Sequence, residues 1–398
     1  MKISRLRVKG YKNLIDCELK LGSFNVLIGP NNSGKSNFLE TFMLLDTLLN
    51  GSETVKQYLF RGVLNTSTFK PFSVPESDLV SIEVEFSENI ADMEYKYWYL
   101  IEIKINGKPL DEENSEAYIN HEYFKYKKAN STGKPITVFE RNAHEIKKQI
   151  GQKIQRLEKT EAAISIIKKI KDTEDMDIAV QKGIEAVFNI CKTPTLYSSP
   201  DEIKSAINRS QEVIIKNGRT VALGLNREII KVLESEDSKY YREVLEHVLK
   251  ISSIRPLKLP ESISKGTSFV LVRFGSRPNE LTDQLSDGTL IVLNLITYFF
   301  SRKYPIIAIE EIENSIHPKL IKELISLIKN DFSNIQVVVT THSPTLLNMV
   351  QLDEVNIISS NDKGCSKITR VNDRKDLVKR LSGTFSSFSD IFDFELGE

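Results

Sequence analysis

The stretch Gly29-Pro30-Asn31-Asn32-Ser33-Gly34-Lys35-Ser36 spaces glycine, lysine and a hydroxyl as G-x-x-x-x-G-K-[ST]. Glycine lets a backbone turn back on itself so that its N–H groups converge, and convergent N–H groups hold phosphate oxygens. From Asn37 the pattern is helical, so the loop ends at a helix N-terminus whose partial positive charge adds to the pull on an anion. Lys35 is placed to reach β- and γ-phosphates, and the Ser36 hydroxyl to ligate magnesium. Gly29, Pro30, Asn31, Asn32, Ser33, Gly34, Lys35, Ser36 and Asn37 are therefore the candidate nucleotide-binding residues, with ATP and Mg2+ as the expected ligands.

A second constellation lies far downstream. The apolar run Ile306-Ile307-Ala308-Ile309 ends in Glu310-Glu311, two adjacent carboxylates at the C-terminal edge of an expected strand. Successive strand side chains point to opposite faces, so the two should divide the work: Glu310 toward a magnesium shell, Glu311 toward a γ-phosphate and the water that attacks it. The buried-type run Gln336 to Thr340 ends in Thr341-His342-Ser343-Pro344, which puts an imidazole on the rim where α/β sheets bind ligands. His342 is a candidate for touching the γ-phosphate. His317 precedes Pro318 at the first position of a helix expected over 319–329, and reads as structural. Leu285-Ser286-Asp287-Gly288-Thr289-Leu290 opens a long apolar helix running to Phe300. Its amides and the Ser286 hydroxyl could receive an anion, although Ser-Asp-Gly is also a common turn and N-cap.

The elements that must hold these groups follow from periodicity. Ile3, Leu6 and Val8 are spaced for a sheet, a turn falls at Gly10 to Asn13, and Phe24 to Ile28 is a buried-type strand feeding the glycine loop. Phe38, Leu39, Phe42, Leu45 and Leu48 share a helical face that closes at Asn50-Gly51. Val80 to Phe86 and Tyr95 to Ile105 alternate as strands, with a hairpin turn expected at Asn106-Gly107, so an antiparallel sheet should flank the parallel core. From Glu140 to Ser252 the pattern is mainly helical, beginning with Ile146, Ile150, Ile154, Leu157, Ile164 and Ile167 on one stripe. Arg141, Lys147, Lys148, Lys153, Arg156, Lys159, Lys168 and Lys169 would make that first helix basic. A solvated face explains them more simply than DNA phosphates do. Strand patterns return at Ser268 to Phe274, Ile306 to Ile309 and Gln336 to Thr340. The expected fold is α/β, a mixed-sheet head interrupted by a helical insertion: an N-terminal lobe over 1–139, the insertion over 140–252 and a C-terminal lobe over 253–398.

Bulk properties narrow the setting. In 398 residues, 54 Lys and Arg balance 54 Asp and Glu, so no overall charge demands nucleic acid or an anionic membrane; any basic surface must be local. An apolar share of 40% is enough for a sizeable core. Cys17, Cys191 and Cys365 are scattered, with no CxxC pair, as suits a reducing cytosol. The opening segment lacks an apolar stretch of signal-peptide length, and Leu290 to Phe300 is too short to span a bilayer. A cytoplasmic protein without a membrane partner is expected.

Taken in order, GPNNSGKS, LSDGTL, IIAIEEIENSIHP and VVVTTHSP resemble the ABC-like ATPases related to SMC, RecF and OLD proteins, in particular compact AAA-type members of bacterial defence operons. The resemblance covers about residues 1–105 and 250–360 and leaves the middle unmatched. It implies a homodimer or higher even oligomer of heads meeting head to tail. Ser286, Asp287 and Gly288 would be the signature loop acting in trans, Glu311 the general base, His342 the switch histidine, and Ser36 with Glu310 the metal residues. It further implies a separate effector, a nuclease or toxin. A RecF-like repair ATPase on DNA, or a slowly hydrolysing scaffold, are the alternative roles. The chain departs from the pattern at Glu310, where many such heads carry Asp, and at Ile312, where proline is common. OLD-type relatives end in a TOPRIM nuclease, for which the 56 residues after His342 leave too little room, so this chain is not expected to cut DNA itself.

Overall fold

The computed structural model describes residues 1–50, 79–106, 116–143, 145–149, 158–171, 176–197, 214–216, 219–221, 225–251, 257–259, 271–274, 280–281, 286–314, 316–342, 344–362 and 364–371. Along the chain, β1 (Lys2–Tyr11) and β2 (Leu14–Lys20) form a hairpin, and β3 (Phe24–Ile28) leads through the glycine loop into α1 (Lys35–Asn50). Strands β4 (Leu79–Ile90), β5 (Met93–Asn106), β6 (Glu116–Lys128), β7 (Ile136–Asn142) and β8 (Ile146–Gln149) follow. Next come α2 (Ala163–Lys171), α3 (Ile178–Cys191), the short strands β9 (Thr195–Tyr197), β10 (Ile214–Lys216) and β11 (Arg219–Val221), then α4 (Leu225–Leu233) and α5 (Ser238–Ile251). The last portion holds β12 (Leu257–Lys258), β13 (Leu271–Phe274), β14 (Glu280–Leu281), α6 (Asp287–Ser301), β15 (Ile306–Glu310), α7 (Pro318–Asp331), β16 (Gln336–Thr341), β17 (Val355–Ser360) and β18 (Ser366–Arg370). Among the described residues no helix is long and apolar enough to cross a membrane.

The chain folds into two compact units, one of Met1–Gly22, Gly29–Thr193 and Asn356–Arg370, the other of Ser23–Ile28, Pro194–Val355 and Val371–Glu398. The interval 140–252 is therefore shared between them. In the first unit the strand order is β8-β7-β6-β5-β4-β1-β2-β18-β17, antiparallel except where β18 runs parallel to β2. One face of this sheet is apolar: Leu6, Val84, Phe86, Tyr97, Tyr99 and Phe124 are buried, with Tyr97 stacked on Phe86 at 4.9 Å. Helix α3 lies close against the sheet, since a Cβ on Gly183 would stand 2.3 Å from the Tyr97 ring. The second unit holds the parallel set β3-β16-β15-β9. Its three longer strands, FNVLI, IIAIE and QVVVTT, are buried almost throughout, as parallel strands covered on both faces must be. The expected α/β architecture with mixed sheets is thus present.

One expectation lies outside the described residues and one is corrected. A tight hairpin joins β4 to β5 at Ala91-Asp92, both in the left-handed region (φ 48° and 61°) with Ile90 opposite Met93, the geometry of a two-residue turn; the turn expected at Asn106-Gly107 cannot be placed, because Gly107 is outside the described residues. β5 does end at Asn106, and residues 107–115 beyond it lie outside the described residues. Secondly, no basic helix begins near Glu140. Glu140 and Arg141 belong to β7, and Ile146–Gln149 is a strand paired with it, Glu140 opposite Lys148. The spacing Ile146, Ile150, Ile154 imitates a helical stripe, but pairing along an open sheet edge overrides so short a signal. Arg141 faces inward, fully buried, and donates to the carbonyl oxygens of Glu161 (2.8 Å) and Asn142 (3.1 Å). Lys153 and Arg156 lie outside the described residues.

Candidate functional site

In the first unit the glycine loop starts the chain into α1, which begins at Lys35 as its residue types require. The Lys35 ammonium is buried and donates to the carbonyl oxygens of Gly29 (2.7 Å) and Pro30 (2.9 Å), so it is held inside the turn of the loop. The glycines are needed sterically. A Cβ on Gly29 would sit 2.1 Å from the Ile358 carbonyl oxygen of β17. Gly34, at φ 100°, would put one 2.7 Å from Ser366 Oγ and 2.8 Å from Asn13 Oδ1. Asn32 is left-handed too, at φ 63°.

Residues that local sequence reasoning missed fasten this loop. Ser366 Oγ, in β18, donates to the Ser33 carbonyl oxygen at 2.6 Å, and its backbone N–H donates to the Asn13 carbonyl oxygen at 2.7 Å. Asn13, in the β1–β2 turn, accepts from Asn37 Nδ2 at 2.7 Å. Cys17 Sγ donates to the Ser366 carbonyl oxygen at 3.2 Å, and burial pushes this thiol up to about 12, so it stays protonated at neutral pH. The Ser33 side-chain oxygen is buried without a hydrogen-bond partner, an unmatched polar atom in a loop built to meet one. Ser33 and Ser366 are 333 positions apart, so no local signal announces the clasp.

The second unit carries the carboxylates. β15 ends at Glu310, and Glu311 leaves the strand in the left-handed region at φ 50°. The strand alternation expected to separate the two carboxylates therefore stops at Glu310. A side-chain-bearing residue held there costs about 1–3 kcal/mol of strain and persists only where the surroundings impose it. Here the Glu311 N–H donates to the Thr340 carbonyl oxygen (2.9 Å), and Glu311 Oε2 accepts from Asn314 Nδ2 (2.7 Å). His342 follows β16. Its Nδ1 stands 3.4 Å from Glu311 Oε1 and 3.7 Å from Glu313 Oε1 without completing a hydrogen bond to either. Glu313, unassigned by the sequence reading, is the hub: its Oε1 accepts from Thr341 Oγ1 (2.6 Å) and from the His342 N–H (3.1 Å), while its buried Oε2 has no hydrogen-bond partner. The spacing of Glu313 and Asn314 from Glu311 within one post-strand turn is the signal that could have found them.

Ser286 stands in the N-cap position of α6, exposed beside exposed Asp287 and half-buried Gly288. Its hydroxyl lies 2.8 Å from the Thr289 hydroxyl and makes no side-chain capping bond to the helix backbone. His317 caps α7 by accepting from the Lys319 N–H at 3.3 Å, with Pro318 in the first turn, a structural role as expected. Among the described residues no group of three or more His, Cys, Asp and Glu could enclose a metal. Magnesium keeps most of its shell as water and phosphate oxygens and takes only one or two protein ligands, and the hydroxyl of Ser36 and the carboxylate of Glu310 are oxygen donors of the type it takes.

A family model described as "AAA domain, putative AbiEii toxin, Type IV TA system" matches residues 24–348, more than half of the chain. The chain belongs to this AAA_21 family. It is 34% identical over 102 residues to a "Retron Vc95 probable ATPase" of Vibrio cholerae serotype O1 biovar El Tor, a match covering 25% of this chain and 20% of that protein. It is 46% identical over 46 residues to the DNA replication and repair protein RecF of Aliivibrio fischeri, covering 11% and 13%. This AAA_21 chain thus matches a fifth or less of the length of these relatives. Among solved structures, an SMC head bound to the C-winged helix domain of ScpA aligns with TM-score 0.52 and 13% identity over 94% of this chain and 99% of that one, a likeness of fold. The AAA_21 chain thus has a fold like that of an SMC head and a short stretch of sequence like RecF.

Proposed function

We propose that this chain binds and hydrolyses ATP as a switch: two copies meet head to tail around ATP and Mg2+, and the nucleotide state passes to a separate toxin or nuclease of a bacterial anti-phage defence system in the cytoplasm. The observation that carries the proposal is the phosphate loop, complete in residue types, clasped by Asn13 and Ser366 and holding the Lys35 ammonium inside its turn. On binding, backbone N–H groups of the loop after Pro30, up to Asn37, take the phosphate oxygens, and Lys35 exchanges its two carbonyl partners for β- and γ-phosphate oxygens. Glu311 accepts a proton from the attacking water as the bond from the γ-phosphorus to its bridging oxygen breaks, releasing ADP and phosphate. His342 hydrogen-bonds the γ-phosphate, with Glu313 fixing its backbone. Ser36 and Glu310 would hold magnesium, which would supply neutralising charge beside the phosphates. Ser286, Asp287 and Gly288 serve the nucleotide held by the other copy. The effector rests on the family description and on the likeness to a retron ATPase.

Mixing two inactive variants tests the dimer. Ser286→Arg and Lys35→Ala are each expected to be inactive alone, and to regain part of the activity under subunit-exchange conditions, because the mixed dimer keeps one composite site. Absence of rescue, or normal turnover by Ser286→Arg alone, would overturn the head-to-tail arrangement. The hydroxyl of Ser286 makes no capping bond, so a simple loss of helix capping does not predict inactivity.

A further inference from the structure

We propose that the groove between α5 and α7 seats an amphipathic helix of a protein partner, one that carries lysine or arginine at both ends of its apolar face. The inference rests on the reading of the chain as a switch with a separate effector, and it names the surface by which that effector is held. Both helices belong to the second unit. Tyr240 and His247 of α5 stand two helical turns apart, as do Glu323 and Asp331 of α7, and all four line the groove. At one end the Tyr240 hydroxyl donates to Asp331 at 2.5 Å, and at the other His247 Nε2 lies 3.2 Å from Glu323 Oε1. The two helices therefore run antiparallel and leave an open groove of about 320 Å³ between them.

The core-facing side of α5 is already satisfied. Tyr241, Leu245 and Leu249 are buried, and the Tyr241 hydroxyl lies 2.7 Å from the Thr297 hydroxyl of α6. The stripe turned to the groove is a further apolar surface: Val244 and Val248 meet Leu327 there, and the Tyr240 ring stands 41% exposed at its mouth.

Charge decides what such a surface takes. Glu243, Glu323 and Asp331 line the groove, and no Lys or Arg does. Their partners leave the negative charge largely unmatched: a phenol for Asp331, an imidazole for Glu323 and, for Glu243, the Lys239 ammonium at 4.0 Å on a side chain 90% exposed. Exposed pairs of that kind contribute little. Lys250 is turned to Glu246 (3.2 Å) and Lys329 to Glu354 (2.5 Å), away from the groove lining. A surface of this sign repels nucleic acid and anionic lipid and attracts a basic protein segment. Glu323 and Asp331, eight residues apart on α7 at about 1.5 Å each, are separated by about 12 Å, close to two turns of helix. A helix laid between two antiparallel helices packs ridges into grooves on both, and basic residues two turns apart on it would meet these two carboxylates while its apolar residues cover Val244 and Leu327.

Fluorescence anisotropy of a labelled synthetic helix of leucine and alanine, with lysines two turns apart, titrated with the full chain, tests the proposal. A twin peptide with glutamate in place of lysine is the control. The lysine peptide is expected to bind and the glutamate peptide not. Glu243→Ala/Glu323→Ala should weaken binding about 3- to 30-fold, the effect of two solvent-exposed charge pairs, with the difference shrinking as KCl rises. Leu327→Ala should weaken it at every salt concentration. Thermal melting of the variants reports folding, and ATP turnover by the parent chain reports the switch reading separately. Failure of the lysine peptide to bind, equal binding of the glutamate peptide, or parental affinity in the double variant would overturn the proposal. So would a changed sedimentation coefficient of the double variant without peptide, which would assign the groove to a second copy of this chain.

Discussion

Replacing Ser366 with alanine should weaken ATP binding, although Ser366 belongs to a strand outside every phosphate-binding motif. Its hydroxyl donates to the Ser33 carbonyl oxygen at 2.6 Å in a buried position. Alanine leaves that carbonyl without the donor, a loss of about 1–3 kcal/mol for a buried group. The strand itself should stay in place, because the backbone N–H of residue 366 still donates to the Asn13 carbonyl oxygen at 2.7 Å. The loss therefore falls on the loop, which can relieve it by shifting away from its phosphate-ready shape. If binding ATP must restore that shape, about 1–2 kcal/mol appears as an affinity lowered about 5- to 30-fold. Calorimetric titration with ATP, paired with thermal melting in its absence, measures both sides. Ser366→Thr, which keeps the hydroxyl, should recover most of the affinity. Asn13→Ala removes the acceptor of Asn37 on the same clasp, so the two changes should be less than additive in a double-mutant cycle. An ATP affinity within twofold of the parent, with or without a lower melting temperature, would refute the clasp as a determinant of binding.

Other consequences can be measured directly. Glu311→Gln should bind ATP as the parent does but lose at least about 100-fold in turnover, since the amide keeps a hydrogen-bonding group and loses the base; parental hydrolysis would remove Glu311 from that role. Glu313→Ala should lower kcat about tenfold or more with little change in ATP affinity, and Glu313→Gln, which retains an oxygen for the Thr341 hydroxyl and the His342 N–H, should recover part of it. Equal loss in both variants would show that charge, not positioning, is what Glu313 provides. Glu122, fully buried, accepts from the Ala163 N–H (2.7 Å), the Ile164 N–H (3.1 Å) and the Tyr99 hydroxyl (3.1 Å). Glu122→Ala orphans these donors near buried Arg141 and should cost about 3–5 kcal/mol, read as a lower urea midpoint and earlier proteolysis at residues 163–171.

Legibility in the sequence followed the range of the forces involved. The glycine loop, the strands FNVLI, IIAIE and QVVVTT and the helix from Lys35 were readable because their residue types and periods are local and agree with one another. Ile146–Gln149 was not, because a four-residue segment takes its conformation from the neighbour it pairs with. The site divides the same way. Lys35 and Glu311 were legible as residue types at motif positions, whereas Ser366 and Asn13 became visible only once the fold brought them to the loop. Glu311 shows why local rules fail where chemistry is expected. Alternation along β15 would have aimed it opposite Glu310, but the chain turns left-handed there, at a cost in strain that Thr340 and Asn314 hold in place. A carboxylate aimed by such a turn owes its direction to residues 3 and 29 positions away. Changing Asn314 should therefore disturb Glu311 more than changing Ile309, two positions before it and inside β15.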